Sequence, residues 1–138
     1  YLELCNGFSL SLLWLQREMP GDSLAVTSDR DAIEQIVLNL LDNAAKYGAA
    51  GGEVLVRLQS RPTSGAEIMV LDRGPGVPPS HQERIFEKFH RVDDTLTAEK
   101  GGTGLGLSIA RQLARGLGGD LRYQPRAGGG AGFVLSLP

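Results

Sequence analysis

The sequence predicts an α+β domain, a two-layer sandwich whose mixed, mostly antiparallel sheet carries its helices on one face. Three observations predict it. Residues 29–47 and 105–117 repeat apolar side chains at helical spacing. Residues 53–59 with 67–72, and 120–124 with 132–137, are runs rich in Val, Leu and Ile joined by short turns, which read as two hairpins. A long irregular connection, 73–103, separates the first hairpin from the second helix, and a loop of that length in a compact domain is usually functional or mobile.

The chain has 138 residues, enough for one domain with a real core. A net charge of −2 gives no sign of a nucleic-acid or acidic-membrane partner. Cys5 is the single cysteine, which excludes a disulfide framework and a cysteine-based metal site. No apolar run reaches about 18 residues, so direct membrane insertion is not expected. There is no signal-peptide pattern, and the first residue is not Met, so we expect a fragment of a longer protein. Residues 1–7 are expected to end an upstream linker and 8–138 to form the domain. Residues 9–16 and 24–27 read as short strands around the Met19-Pro20-Gly21 turn.

In the first helix, Ser28 or Asp29 can cap the N-terminus, and Asp31 adds negative charge to the first turn. Ile33, Ile36, Val37, Leu40, Leu41 and Ala44 make one apolar face. Asn39, Asn43 and Lys46 stand at i, i+4 and i+7, and at about 100° per residue they line up along the edge of that face. Amides compete with the helix backbone for hydrogen bonds, so such a stripe is either a solvated flank or a wall of a polar pocket. In the second helix Ile109, Ala110, Leu113, Ala114 and Leu117 share a face, and Gly118-Gly119 stops it.

Three further stretches carry chemistry. Asp72 ends an apolar strand and is followed by Arg73-Gly74-Pro75-Gly76-Val77. This is either Asp-X-Gly turn chemistry or a carboxylate placed where backbone approaches a ligand, able to accept from an exocyclic amine. Gly101-Gly102-Thr103-Gly104-Leu105-Gly106-Leu107-Ser108 opens a helix, where free N–H groups suit phosphate. It fails the Walker pattern, because Leu107 stands where the lysine belongs. It fails the dinucleotide fingerprint too, because Leu107 takes the third glycine's place and no strand precedes it. Phe86 and Phe89, on a short helix expected over 82–89, either cover a flat ligand or pin the loop to the core.

Taken together, Asn39-Leu-Leu-Asp-Asn43-Ala-Ala-Lys46-Tyr47-Gly48, Asp72-Arg-Gly74-Pro-Gly76, Ile85-Phe86-Glu-Lys-Phe89 and Gly102-Thr-Gly104-Leu-Gly106-Leu resemble the N, G1, F and G2 boxes. These mark the catalytic ATP-binding domain of two-component sensor histidine kinases, in the superfamily shared with gyrase, MutL and heat-shock chaperone ATPases. The resemblance covers roughly 24–138, with the boxes at 39–47, 72–76, 85–89 and 102–107 and an ATP lid over about 77–101.

The resemblance implies a division of labour. Asn43 would coordinate Mg²⁺, supported by Asn39. Lys46 and Tyr47 would contact phosphate and ribose. Asp72 would accept from the adenine amine, in a slot shaped by Gly74, Gly76 and Val77. Phe86 and Phe89 would anchor the lid, with Arg91 and Lys100 as cations near the phosphates. Gly102, Thr103, Gly104, Leu105, Gly106 and Leu107 would wrap the triphosphate. Many such kinases carry lid arginines where Leu96 and Ala98 stand, and a threonine where Ala131 stands. Neither His81 nor His90 resembles a phosphoacceptor, which is a His followed by an acidic residue on a dimerisation helix. No residue of the chain would therefore receive the phosphate.

The implied function is donation of the ATP γ-phosphate to a histidine on a separate dimerisation domain of the same protein, with a response regulator downstream. The implied location is cytoplasmic, whether or not the parent is anchored in a membrane. The alternatives are a nucleotide-binding pseudokinase that only docks, an ATP-hydrolysing relative, or an anti-sigma serine kinase. Hydrolases of the superfamily place a water-activating glutamate one turn before the metal-binding Asn. Here that position is Asn39, whose amide cannot accept a proton at neutral pH.

Overall fold

The protein is represented by a computed structural model that describes residues 14–18 (backbone only), 28–48, 52–62, 64–90 and 105–138. Helix α1 (Arg30–Tyr47) starts where Asp29, in extended backbone, accepts from the N–H groups of Asp31 and Ala32 at 2.9 and 3.2 Å. That satisfies two donors with no partner inside the helix. Ile36, Leu40 and Ala44 are buried, with Ile33 and Leu41 packed beside them.

Five strands follow the order β1-β2-β3-β5-β4. Strand β1 (Trp14–Glu18) runs parallel to β2 (Glu53–Ser60), with Trp14 opposite Glu53. The other neighbours are antiparallel: β2 with β3 (Ala66–Asp72), β3 with β5 (Ala131–Leu137), and β5 with β4 (Asp120–Pro125). The sheet is thus mixed and mostly antiparallel, as expected. The first strand extends to Glu18, beyond the expected Gln16, because its pairing with β2 continues to Arg57. The strand expected over 24–27 lies outside the described residues.

Helix α2 (Gly106–Gly116) packs beside α1, and both cover one sheet face. Ala110 and Ala114 have no exposed surface, and Leu107, Leu113 and Leu117 flank them. Ile109, expected on the buried face, is exposed, because close approach to α1 centres the face on the two alanines. The opposite sheet face buries Leu55, Met69, Leu71 and Val134. Strand β5 is therefore buried at all seven positions, which accounts for its nearly unbroken apolar run.

Residues 82–89 do not form one helix. They hold a 3-10 turn, Arg84–Phe86, after another at Pro79–His81. Glu87 turns extended and Phe89 is left-handed at φ 62°, so an α-helical ladder never builds.

On the sheet face away from the helices, polar side chains run across four strands. Arg122 reaches Ser136 Oγ at 2.9 Å and Glu67 at 3.2 Å, and Gln59 donates to Glu67 at 2.9 Å. Burial alone would raise the Glu67 pKa, but the hydrogen bonds from Gln59, Arg122 and Ser136 and the Arg122 charge outweigh it and hold the group below its ordinary value. At Asp120, burial is likewise outweighed, by Arg111, Arg115 and the Leu121 N–H, and its pKa is also lowered. A carboxyl with a lowered folded pKa adds stability above its unfolded pKa and loses it as pH falls through the folded one. The unfolded values are 4.5 for Glu67 and 3.8 for Asp120. Melting temperature should therefore hold steady above the higher value and fall on acidification below it. A Glu67→Gln, Asp120→Asn variant should melt lower at pH 7 and lose less on acidification. Parallel melting curves against pH for the two proteins would refute this.

Candidate functional site

Asp72 closes β3 with only 4 % of its surface exposed. Its Oδ1 accepts from the Gly74 N–H at 2.8 Å and from the Ala131 N–H at 3.1 Å. Oδ2 takes part in neither bond. The end of α1 lies against the same side chain: a Cβ on Gly48 would sit 2.6 Å from Asp72 Cγ, and one on Gly74 would sit 2.7 Å from Gly48 Cα. Gly130, at φ +113°, closes the β4–β5 turn so tightly that a Cβ there would overlap the Asp72 carbonyl oxygen. Three segments distant in sequence thus meet at one carboxyl group, and each places a glycine where a Cβ would clash.

The loop leaving this junction is held as well. The Val77 N–H donates to Tyr123 Oη at 3.1 Å, and Gln82 Nε2 donates to the Val77 carbonyl at 3.1 Å. Tyr123 in turn meets Phe133 edge-on at 5.6 Å. Arg73 donates to the Ala127 carbonyl at 3.2 Å, and Arg126 pairs with Glu53 at 2.8 Å, so two arginines strap the β4–β5 turn to the same end of the sheet.

A second junction joins the helices. Asn39 Nδ2 donates to the Gly106 carbonyl at 3.2 Å, while its Oδ1 accepts from Gln35 at 3.2 Å. Helix α2 starts at Gly106, and its N-cap residue Leu105 makes no side-chain cap hydrogen bond. Asn43 is half-buried one turn beyond Asn39. Lys46 pairs with Asp42 at 2.9 Å.

The 3-10 turn carrying Phe86 is pinned by Ile85, which is buried, and by Phe86 against Phe133, edge-on at 6.4 Å. The Arg111 guanidinium lies over the Phe86 ring at 4.6 Å and also reaches Asp120 at 3.2 Å. Phe89 is 69 % exposed, so the anchor is Ile85 with Phe86 and not the two phenylalanines.

Of the residues singled out in the sequence, Tyr47, Asp72, Gly74, Gly76 and Val77 gather at the first junction, and Asn39, Leu105, Gly106 and Leu107 at the second. Arg91, Leu96, Ala98, Lys100, Gly102, Thr103 and Gly104 lie outside the described residues. Tyr123, Gly130 and the Ala131 N–H were given no role by sequence reasoning, and Gly48 entered only as the residue that closes the Asn39–Tyr47 motif. A run of three glycines before a strand was the available signal for Gly130, but nothing local said it would meet Asp72.

Residues 28–138 match the family model described as histidine kinase-, DNA gyrase B-, and HSP90-like ATPase. The adaptive-response sensory kinase SasA of Rippkaea orientalis is 38 % identical over 138 residues, which is all of this chain and 34 % of that protein. The chain thus spans about a third of the length of that curated relative. The mycobacterial sensor histidine kinase MprB superposes with a TM-score of 0.77 at 33 % identity, over 99 % of this chain and 87 % of the other. Full-length ShkA in complex with AMPPNP superposes with a TM-score of 0.80 at 28 % identity, over 99 % of this chain and 28 % of the other.

The Gly130 contact can be tested directly. Gly130→Ala should destabilise the fold by about 1–3 kcal/mol in urea unfolding, from backbone strain alone, and by more if the turn cannot shift. A variant as stable as the parent would mean that the turn moves freely off Asp72.

Proposed function

Since this chain belongs to the histidine kinase-, DNA gyrase B- and HSP90-like ATPase family, as the ATP-binding catalytic domain of a sensor histidine kinase, we propose that it holds Mg²⁺·ATP and presents the γ-phosphate to a histidine. That histidine belongs to a separate helical dimerisation domain of the parent protein, and a response regulator takes the phosphate onward. The AMPPNP complex of ShkA supports nucleotide binding by the shared fold.

The observation that carries this reading is the Asp72 carboxyl. Two backbone N–H groups hold Oδ1 in place, which makes Oδ2 a fixed acceptor for the adenine exocyclic amine. Gly74, Gly76 and Val77 border the purine, and Tyr47 contributes from the end of α1. The G1 box is 72–76, the N box 39–47, the F box 85–89, the G2 box 102–107 and the lid about 77–101. Lys46, Phe89, Arg91, Lys100, Thr103 and the glycines Gly102, Gly104 and Gly106 complete the nucleotide contacts with Leu105 and Leu107. Phosphate suits the uncapped start of α2.

Among the described residues no three His, Cys, Asp or Glu side chains form a metal cage. That suits Mg²⁺, which keeps waters and takes phosphate oxygens with one or two protein ligands. Asn43 would supply an amide oxygen. The bound ion would neutralise phosphate charge. The chain's own part is positioning, which is most of what phosphoryl transfer requires of a protein.

Two substitutions test the assignment. Asn at position 72 keeps an oxygen for the Gly74 and Ala131 donors but turns an amide N–H toward the purine. Asp72→Asn should therefore keep the fold and weaken ATP binding by about 1–3 kcal/mol in calorimetry. Unchanged affinity would sink the adenine assignment. Asn43→Ala, assayed with the parent's phosphoacceptor domain present, should abolish Mg²⁺-dependent transfer with thermal unfolding unchanged. Transfer at the wild-type rate would remove Asn43 from the metal site.

A further inference from the structure

We propose that His81 and His90 form a binding site for a zinc-class divalent cation, one that shares no residue with the Asp72 pocket. His81 Nδ1 and His90 Nε2 lie 2.9 Å apart, with ring centroids 5.1 Å apart and planes at 32°. A tetrahedral zinc about 2.0–2.1 Å from each nitrogen needs the nitrogens about 3.3 Å apart and the centroids about 5.2 Å apart. The centroids already stand at about the required separation, and zinc would require the nitrogens to open by about 0.4 Å and both rings to turn their lone pairs toward one point. The ring that donates the present hydrogen bond moves its proton to its other nitrogen. Both facing nitrogens then offer lone pairs, as metal-binding imidazoles must.

The two ligands rest on backbone that is held from both sides. The His81 N–H donates to the Pro78 carbonyl at 2.9 Å and the His90 N–H to the Glu87 carbonyl at 3.3 Å, while Ile85 between them is buried. The neighbouring Gln82 amide is already engaged by Val77. Among the described residues no third His, Cys, Asp or Glu joins the pair. The pair supplies two of the four protein ligands that structural zinc takes. Imidazole favours zinc, copper and nickel, whereas Mg²⁺ takes oxygen ligands, so the site does not compete for the nucleotide's metal. A bound ion would staple the two ends of the 82–89 loop together.

Calorimetric titration of the untagged, nucleotide-free chain with zinc chloride tests this, with magnesium chloride as control. We expect one zinc per chain, no heat from magnesium, and affinity lowered by about tenfold or more in His81→Gln and in His90→Gln alike. Imidazole ¹H–¹⁵N spectra should show both rings shifting together on zinc addition, and amide spectra of the variants report that they remain folded. No zinc binding by about 1 mM overturns the proposal. So does binding that neither substitution weakens, since the ion would then sit elsewhere.

Discussion

A carboxyl group taken almost wholly out of water must find hydrogen-bond donors, or its burial costs far more than a fold can carry. Asp72 meets that demand with backbone N–H groups from two places, Gly74 just beyond its own strand and Ala131 at the start of β5. Satisfying one side chain therefore forces the β3 exit and the β4–β5 turn into contact. The end of α1 is drawn into the same space, where Gly48 leaves room for the Asp72 side chain. The close backbone approaches at Gly48, Gly74 and Gly130 accompany this requirement, and they leave a rigid acceptor at the end of a central strand.

The rest of the architecture keeps that acceptor in register with the helices. Strand β3 is bonded on both sides, to β2 and β5, and its flanking residues are buried on both sheet faces. The two helices meet along Ala110 and Ala114, small enough for close packing, and Asn39 ties α1 to the first residue of α2. Because α1 touches both junctions, a shift of that helix would change the Asp72 corner and the start of α2 together. Arg111 extends the linkage outward, lying on Phe86 at the base of the loop while bonded to Asp120 at the start of β4.

The fold was legible in the sequence because its elements announce themselves locally. Asp29 caps where a cap was expected, and both hairpins run within a residue of their expected bounds. What failed locally was decided by tertiary contact. Ile109 fits the apolar face by periodicity, yet the alanine seam with α1 sets the buried centre one residue on. The 82–89 segment has helical composition, yet Pro78 and Pro79 start it in a tight turn and the left-handed Phe89 ends it. At the site, the line of Asn39, Asn43 and Lys46 was visible from spacing, but Asn39's bond to Gly106 joins residues 67 apart. Ala131 was weighed only for its side chain, whereas its contribution is a backbone N–H, which no residue type reveals.

That Asn39 bond bears on what the proposed site does with ATP. Hydrolases that resemble this chain carry a carboxylate at this position to draw a proton from water. In this chain the position donates, through Nδ2, to a carbonyl oxygen at the entrance of α2. A carboxylate there would face that oxygen acceptor to acceptor, and the helix junction would lose its hydrogen bond. The Asn39 oxygen is also engaged, by Gln35, and a neutral amide is no base. One residue thus serves packing in a way that excludes the hydrolytic role. At this position the chain has no carboxylate to activate water, which favours the reading in which ATP is held for an acceptor supplied by another domain.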